Sequence, residues 1–423
     1  MKNVLVFPCG SEIGLEIHRS LANSIHFNLI GASSVDDHGR FTFANYIGGV
    51  PLVDNDNFVD SIRQIIEKHD IDLIMPAHDS VVLKLAENQS FLDATVVTSP
   101  KRTCRTCRSK ILTYEALRRL VKTPVLFAPE EVKSFPVFLK PDIGQGSRGA
   151  SIVNSRDELE CRLENSDGVL VQEYLPGEEY TVDCFTDRHR KLRFVGGRKR
   201  ARISNGISVN SYEVLDLRFT DIAQSINDCL HLRGAWFFQL KERANGDLVL
   251  LEVAPRIAGT MALFRMDGVN FSLLSLFDAL NLDIEIIRNN QTPEIDRALA
   301  ARYINRFDYS NVYVDFDDTL IIRNSVNALL MAFLYQAKSK GARIVLLTRH
   351  KLDIFESLDK YCIARMVFDE IYVLTEYEPK SKYVNKGGIF IDDSFSERLE
   401  VSSIQGVKVY SPDAVESLLD WTS

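Results

Sequence analysis

Two apolar runs that close on paired carboxylates constrain this chain more than any other feature. Val312-Tyr313-Val314 runs directly into Asp315-Phe316-Asp317-Asp318-Thr319, and Gly388-Ile389-Phe390-Ile391 into Asp392-Asp393. Runs that are apolar at successive positions are buried on both faces, the habit of strands in a helix-covered parallel sheet. The carboxyl ends of such strands gather at one edge, where ligands bind. Strand alternation predicts Asp315 and Asp317 on the same side. Carboxylates so placed repel unless a cation or a shared proton intervenes, and Mg²⁺ is the simple answer. Val345-Leu346-Leu347-Thr348 is a further strand, ending in a hydroxyl, and Lys380 and Lys382 follow. Aspartate, hydroxyl, lysine and aspartate at strand ends make a site for an anion together with a metal.

The first hundred residues show the same α/β alternation. Val4-Leu5-Val6-Phe7 meets Pro8-Cys9-Gly10-Ser11, after which Glu12–Ile17 takes helical spacing. The Gly10–Gly14 turn reads as tight packing, since it lacks the third glycine of a dinucleotide fingerprint. His78-Asp79-Ser80 follows the Ile71–Pro76 strand, where a parallel sheet exposes its binding loops.

Residues 101–305 change character to short β runs. A glycine-rich stretch, Gly144-Gln145-Gly146-Ser147-Arg148-Gly149, lies between two of them and can bring backbone N–H groups to phosphate oxygens. Lys140 closes the preceding strand and supplies positive charge. Gln172-Glu173-Tyr174-Leu175 offers an extended edge for an adenine, and Glu179 an acceptor for ribose hydroxyls. Gln239 and Glu252 lie on two later strands joined by a hairpin, as oxygen ligands for Mg²⁺ would. Arg198, Arg200 and Arg202 alternate, so a regular strand puts three guanidinium groups on one face, where ATP phosphate or an anionic substrate would answer them; the alternative is a solvated surface row.

These pieces resemble the ATP-grasp superfamily of ligases, over about residues 1–305, and within it the carbamoyl phosphate synthetase and biotin carboxylase-like branch. The resemblance rests on Ser109-Lys110, Phe138-Leu139-Lys140-Pro141, the glycine loop, Val171–Gly177, Phe238-Gln239-Leu240 and Leu251-Glu252-Val253-Ala254-Pro255-Arg256. It implies that Lys110 and Lys140 face ATP phosphates, to which Gly146 and Ser147 of the glycine loop and Arg200 of the arginine row would add. Glu173, Tyr174 and Leu175 would contact adenine and Glu179 the ribose, Gln239 and Glu252 would hold Mg²⁺, and Arg256 would steady an acyl-phosphate. Where that family usually has an asparagine, this chain has Ala254, which cannot ligate a metal.

The C-terminal strand ends resemble the haloacid dehalogenase superfamily, over roughly residues 308–423. The resemblance implies Asp315 as phosphoryl-accepting nucleophile, Asp317 as general acid/base, Thr348 and a lysine on phosphoryl oxygens, and Asp392 completing Mg²⁺ binding by Asp315 and Asp317. Lys382 is preferred over Lys380, because related members show its spacing to Asp392. Short intervals between the motifs leave no room for a cap domain.

The expected fold is therefore α/β in three parts: a parallel α/β domain over 1–100, an ATP-grasp α+β domain over 101–305, and a Rossmann-like haloacid dehalogenase domain without a cap over 308–423. The expected activity is ATP-dependent ligation of a small-molecule carboxylate and an amine, with hydrolysis of a phosphomonoester by the last domain. ATP and Mg²⁺ would be required, with Mn²⁺ able to substitute. The alternatives are a ligase whose last domain is a regulator or scaffold, and a nucleotide sensor without turnover.

Composition trims the remaining classes. Fifty Lys and Arg against 58 Asp and Glu give a net charge of −8, which argues against nucleic acid as a partner. No apolar run reaches the ~20 residues of a membrane span. Seven cysteines form no paired framework, which reads as cytoplasmic; Cys104-Arg105-Thr106-Cys107 has metal spacing but no second pair beside it. Oligomeric state stays open; the resemblance alone makes a homodimer possible.

Overall fold

The computed structural model describes every residue except Gln145, Ser147, Asn165–Asp167, Thr292, Asn305, Arg306 and Ser423. The chain divides into two compact units, Met1–Leu299 and Ala300–Ser423. No helix among the described residues is long and apolar enough to cross a membrane.

The first unit opens with strands β1 (Lys2–Phe7), β2 (Phe27–Ala32), β3 (Asn45–Ile47), β4 (Leu73–Pro76) and β5 (Thr95–Val96). They form a parallel sheet in the order β3-β2-β1-β4-β5. Ser11 caps the helix Glu12–Leu21, its hydroxyl accepting from Gly14 N at 3.0 Å. A Cβ on Gly14 would fall 2.5 Å from the carbonyl oxygen of Cys9, so this glycine lets the helix start against the turn.

Four strands follow as a small antiparallel sheet: β6 (Leu126–Phe127), β7 (Val137–Pro141), β8 (Ser151–Val153) and β9 (Val169–Glu173), in the order β6-β9-β7-β8. A larger antiparallel sheet comprises β10 (Glu179–Thr186), β11 (Leu192–Ser204), β12 (Ile207–Val214), β13 (Gly234–Glu242), β14 (Leu248–Ala254) and β15 (Glu294–Asp296). Its order is β14-β13-β10-β11-β12-β15.

The parts expected at 1–100 and 101–305 share one apolar core. Val4, Val6, Leu73 and Met75 of the parallel sheet pack in the same cluster as Phe185, Phe194, Phe237, Phe264 and Phe271. Each fully buried phenylalanine contributes about 2–3 kcal/mol of transfer free energy, so this shared core fixes the parallel sheet against the larger antiparallel one.

The second unit has its own parallel sheet: β16 (Asn311–Val314), β19 (Arg343–Thr348), β20 (Glu370–Val373), β21 (Gly388–Ile391) and β22 (Lys408–Tyr410), with a short hairpin of β17 (Ile321–Ile322) and β18 (Ser325–Val326). The order is β20-β19-β16-β21-β22. Val312 and Val314 enter one core cluster and Tyr313 another, so β16 is buried on both faces as its apolar run requires. Between β16 and β19 lie only the β17–β18 hairpin and the helix Ala328–Ser339, so no cap domain interrupts the unit there.

Candidate active sites

In the first unit a cavity of about 330 Å³ lies between the small and large antiparallel sheets. Its lining gathers Lys110, Lys140, Gly146, Arg148, Gln172, Tyr174, Leu175, Glu179, Arg200, Gln239, Glu252 and Arg256. Most site residues expected from the sequence are thus brought to one place. Ser147 lies outside the described residues.

Lys140, next to last in β7, is buried; its Nζ donates to Tyr114 Oη at 2.7 Å. Tyr114 in turn donates to the Leu251 carbonyl at 2.8 Å. Burial, helped by the neighbouring Lys110 charge, pushes the Lys140 ammonium down to about 7. Lys110 opens the helix Lys110–Leu117 and donates to the Asp142 carbonyl at 3.1 Å. Asp142 also accepts from Ser109 Oγ and from Ile111 N at 2.8 Å, which pins that helix start to the end of β7. Tyr114 escaped the sequence reading, although its place one helical turn after Lys110 puts the two on one face.

Gln239 and Glu252 are register partners on β13 and β14, and both line the cavity. Their hard oxygen donors, close to two lysines that attract phosphate, fit Mg²⁺. Ala254, two residues beyond, adds no donor, so two side chains would serve where the sequence pattern leads one to expect three.

Several assignments need correction. Glu173 does not face the cavity. Alternation along β9 turns Gln172 toward it and Glu173 away, where Arg243 Nη2 donates to Glu173 at 2.6 Å and Val125 N at 2.9 Å. The arginine row is broken. Register shifts on both sides of Arg202 end the alternation, and Arg202 leaves to pair with Asp296 at 2.8 Å on the surface. Arg198 and Arg200 do line the cavity, but with protein carboxylates as partners. Arg198 pairs with Asp183 at 2.7 Å in full burial, and Arg200 with Glu179. Arg200 also donates to Gln239 at 3.3 Å.

Arg256 is engaged as well. Its Nε and Nη2 lie 2.6 and 2.8 Å from the carboxylate of Asp79, and its Nη1 donates to the Ile257 carbonyl at 3.0 Å. Burial opposes ionisation of Asp79, but Arg256 holds it below the usual carboxylate range. The His78-Asp79-Ser80 segment, where the helix Asp79–Glu87 begins, therefore does reach the site. Asp79 grips Arg256, and Ser80 Oγ accepts from Arg108 at 3.1 Å. Cys104 and Cys107 are free thiols that line the cavity.

In the second unit the ends of β16 and β21 bring Asp315, Asp392 and Asp393 together, with one oxygen of each within 4.8 Å of the others. Three carboxylates at that spacing fit a hard divalent cation. Burial raises Asp315 above its usual range and pushes Asp392 up to about 6. Lys380 lies between them, 2.8 Å from Asp315 and 2.6 Å from Asp392. Burial opposes its charge, yet the two aspartates hold it above the ordinary lysine value.

The preference for Lys382 is thus corrected. Residues 380–382 form a 3₁₀ turn, in which positions two apart point in different directions, and Lys382 is exposed on Glu378 at 2.9 Å. Asp317 also departs from expectation. β16 ends at Val314, so strand alternation no longer governs residue 317, and its carboxylate turns to His350 Nδ1 at 2.9 Å rather than joining the other acids. Thr348, at the end of β19, is fully buried, and its hydroxyl lies beside Asp315, where it favours the charged carboxylate against the effect of burial.

Two antiparallel sheets thus close on a cavity in which two lysines stand beside the oxygen donors. Residues 165–307 match the family described as ATP-grasp in the biosynthetic pathway with Ter operon. The chain is 35% identical over 63 residues to a D-alanine–D-alanine ligase of Fusobacterium nucleatum, covering 15% of this chain and 22% of that protein. It is 27% identical over 139 residues to a carbamoyl-phosphate synthase of Methanobrevibacter smithii, covering 30% and 38%. The matched stretches span well under half the length of these relatives. Among solved structures, the biotin carboxylase domain of 2-oxoglutarate carboxylase from Hydrogenobacter thermophilus, in complex with MgADP, ADP and bicarbonate, is similar with a TM-score of 0.59. That likeness has 15% identity and covers 69% of this chain and 72% of that one, and it shows the fold.

Proposed function

We propose that the first unit is an ATP-dependent carboxylate–amine ligase. A carboxylate oxygen takes the γ-phosphoryl group of ATP, releasing ADP. The amine nitrogen then attacks the acyl carbon, the C–O bond to phosphate breaks, and amide and inorganic phosphate leave. The observation that carries this reading is the convergence of Lys110, Lys140, Gln239, Glu252 and Arg256 on one cavity. The similar biotin carboxylase domain, crystallised with MgADP, supports it. Lys110 and Lys140 bind and orient the phosphates, and the dry setting of Lys140 strengthens its attraction for them. Tyr174 and Leu175 flank the base, and Glu179 the ribose. Arg256 comes to the acyl-phosphate as Asp79 yields it. Mg²⁺, held by Gln239 and Glu252, would neutralise phosphate charge when bound.

The second unit, in this reading, is a phosphomonoesterase resembling the haloacid dehalogenase superfamily. Asp315 attacks phosphorus, the alcohol leaves with a proton from Asp317, and water then releases phosphate from the aspartyl-phosphate. Lys380 and Thr348 hold phosphoryl oxygens. Mg²⁺ on Asp315 and Asp392 would supply charge neutralisation. A second reading, a nucleotide sensor without turnover, draws support from Ala254 and from the occupied guanidinium of Arg256.

The test is ADP release by the purified chain with Mg²⁺, ATP and pooled carboxylates and amines, followed by mass spectrometry. The ligase reading expects ADP and a condensation product, both absent in Lys140→Ala. ATP binding without ADP release under every pool would favour the sensor.

A further inference from the structure

Asp317 stands on a turn beyond the end of β16, with Asp318 beside it at a φ of 53°, and its side chain is 54% exposed. Such a carboxylate is free to swing unless something holds it. Among the described residues, the group that holds it is His350, two residues past the end of β19. Nδ1 of His350 lies 2.9 and 3.0 Å from the two carboxylate oxygens of Asp317.

The imidazole itself is fixed. Its Nε2 lies 2.7 Å from Ser357 Oγ, its ring meets Phe316 edge-on at 4.8 Å, and its side chain is 11% exposed. Ser357 is buried in the helix Ile354–Lys360, whose start is capped by Asp353 accepting from Phe355 N and Glu356 N. With Nδ1–H donating to the carboxylate, Nε2 is left to accept from the Ser357 hydroxyl, so one neutral tautomer satisfies both contacts.

We propose that His350 is a positioning residue for Asp317, aiming its carboxylate for proton transfer to the leaving oxygen, with Ser357 orienting the ring. This rests on the phosphomonoesterase reading of the second unit. The chain Ser357–His350–Asp317 runs from a buried helix to an exposed acid. It therefore gives a mobile general acid a rigid anchor. A general acid adds most where the leaving group is poor: an alkoxide needs the proton as it departs, and a nitrophenolate hardly does. Loss of the anchor should therefore discriminate between esters.

The experiment compares kcat/KM of the full chain on p-nitrophenyl phosphate and on glycerol 2-phosphate, with Mg²⁺, for wild type, His350→Ala, His350→Asn, Ser357→Ala and Asp317→Asn. Removing an orienting partner typically costs about 10–100-fold. His350→Ala should lose that on the alkyl ester and no more than about threefold on the aryl ester, with Asp317→Asn showing the same discrimination. The amide nitrogen of His350→Asn should restore part of the alkyl activity. In the Asp317→Asn background, His350→Ala should add no further loss.

Equal losses on both esters, or a His350→Ala loss that persists undiminished in Asp317→Asn, would mean that His350 merely supports the fold, and would overturn the assignment. Wild type active only on the aryl ester would overturn it too, since no leaving group would then need Asp317. Wild type silent on both esters would defeat the phosphomonoesterase reading itself, and this assignment with it.

Discussion

Lys140 lends itself to the sharpest prediction, because in the ligase reading its burial would couple proton binding to nucleotide binding. A free lysine titrates at 10.5, and burial takes this one to about 7. At pH 7 about half of the folded molecules carry a proton that nearly every unfolded molecule carries, which costs on the order of 4 kcal/mol of folding free energy. The unfolded state binds more protons between about pH 7 and 10.5, so stability contributed by this site rises with pH across that window. Phosphate placed against Lys140 restores the charged form. Nucleotide binding should therefore take up a proton, and above pH 7 it should weaken. Protonated Lys140 falls from about nine-tenths at pH 6 to about one-tenth at pH 8, which predicts roughly tenfold weaker binding at pH 8. Isothermal titration of MgADP in buffers of different ionisation enthalpy reads both the affinity and the proton count. Lys140→Met should lose the pH dependence and most of the affinity, while gaining stability at neutral pH as the desolvated charge disappears. Equal affinity at pH 6 and pH 8 in the wild type, or the same pH dependence in Lys140→Met, would refute the coupling.

Other perturbations separate roles within the two sites. Lys380→Ala leaves Asp315 and Asp392 without their shared cation and should destabilise the second unit by about 3–5 kcal/mol in chelator while abolishing ester hydrolysis; Lys382→Ala should move neither, as denaturant titration and a phosphate assay will read. Asp79→Asn breaks the buried pair with Arg256 and should cost about 3–5 kcal/mol of stability by the same titration. Glu173→Gln should lower stability by about 1–3 kcal/mol, through Arg243 and Val125, with KM for ATP unchanged. Glu252→Ala should raise the Mg²⁺ concentration needed for half-maximal ATP turnover, whereas a merely structural Glu252 would lower turnover without moving it.

How much of this could be seen in the sequence differs by residue. Strand ends were legible where a run was apolar throughout: Val312–Val314 and Gly388–Ile391 do place Asp315 and Asp392 at one sheet edge. The residues beyond those strands were not, because periodicity stops where the strand stops. Asp317 and Lys382 were both placed by spacing, and both sit in turns whose geometry spacing does not encode. The arginine row failed for a related reason, since the register shifts that move Arg202 leave no mark in its composition. In the first unit the lysines, Glu179, Gln239 and Glu252 were readable as chemistry. Their partners were not: Asp79 is 177 positions from Arg256, and Tyr114 reaches Leu251 across the whole β-rich region. The shared core of Val4, Leu73 and Phe237, together with the Asp79–Arg256 pair, shows that the first hundred residues belong to the same unit.

The central claim, that ATP activates a carboxylate as its acyl-phosphate, is tested most directly by following oxygen. Pooled carboxylates labelled with ¹⁸O in the carboxyl group, incubated with the purified chain, Mg²⁺, ATP and pooled amines, should yield inorganic phosphate carrying one ¹⁸O for each amide formed, with ADP as co-product. Phosphate free of label, or AMP and pyrophosphate in place of ADP and phosphate, would contradict it.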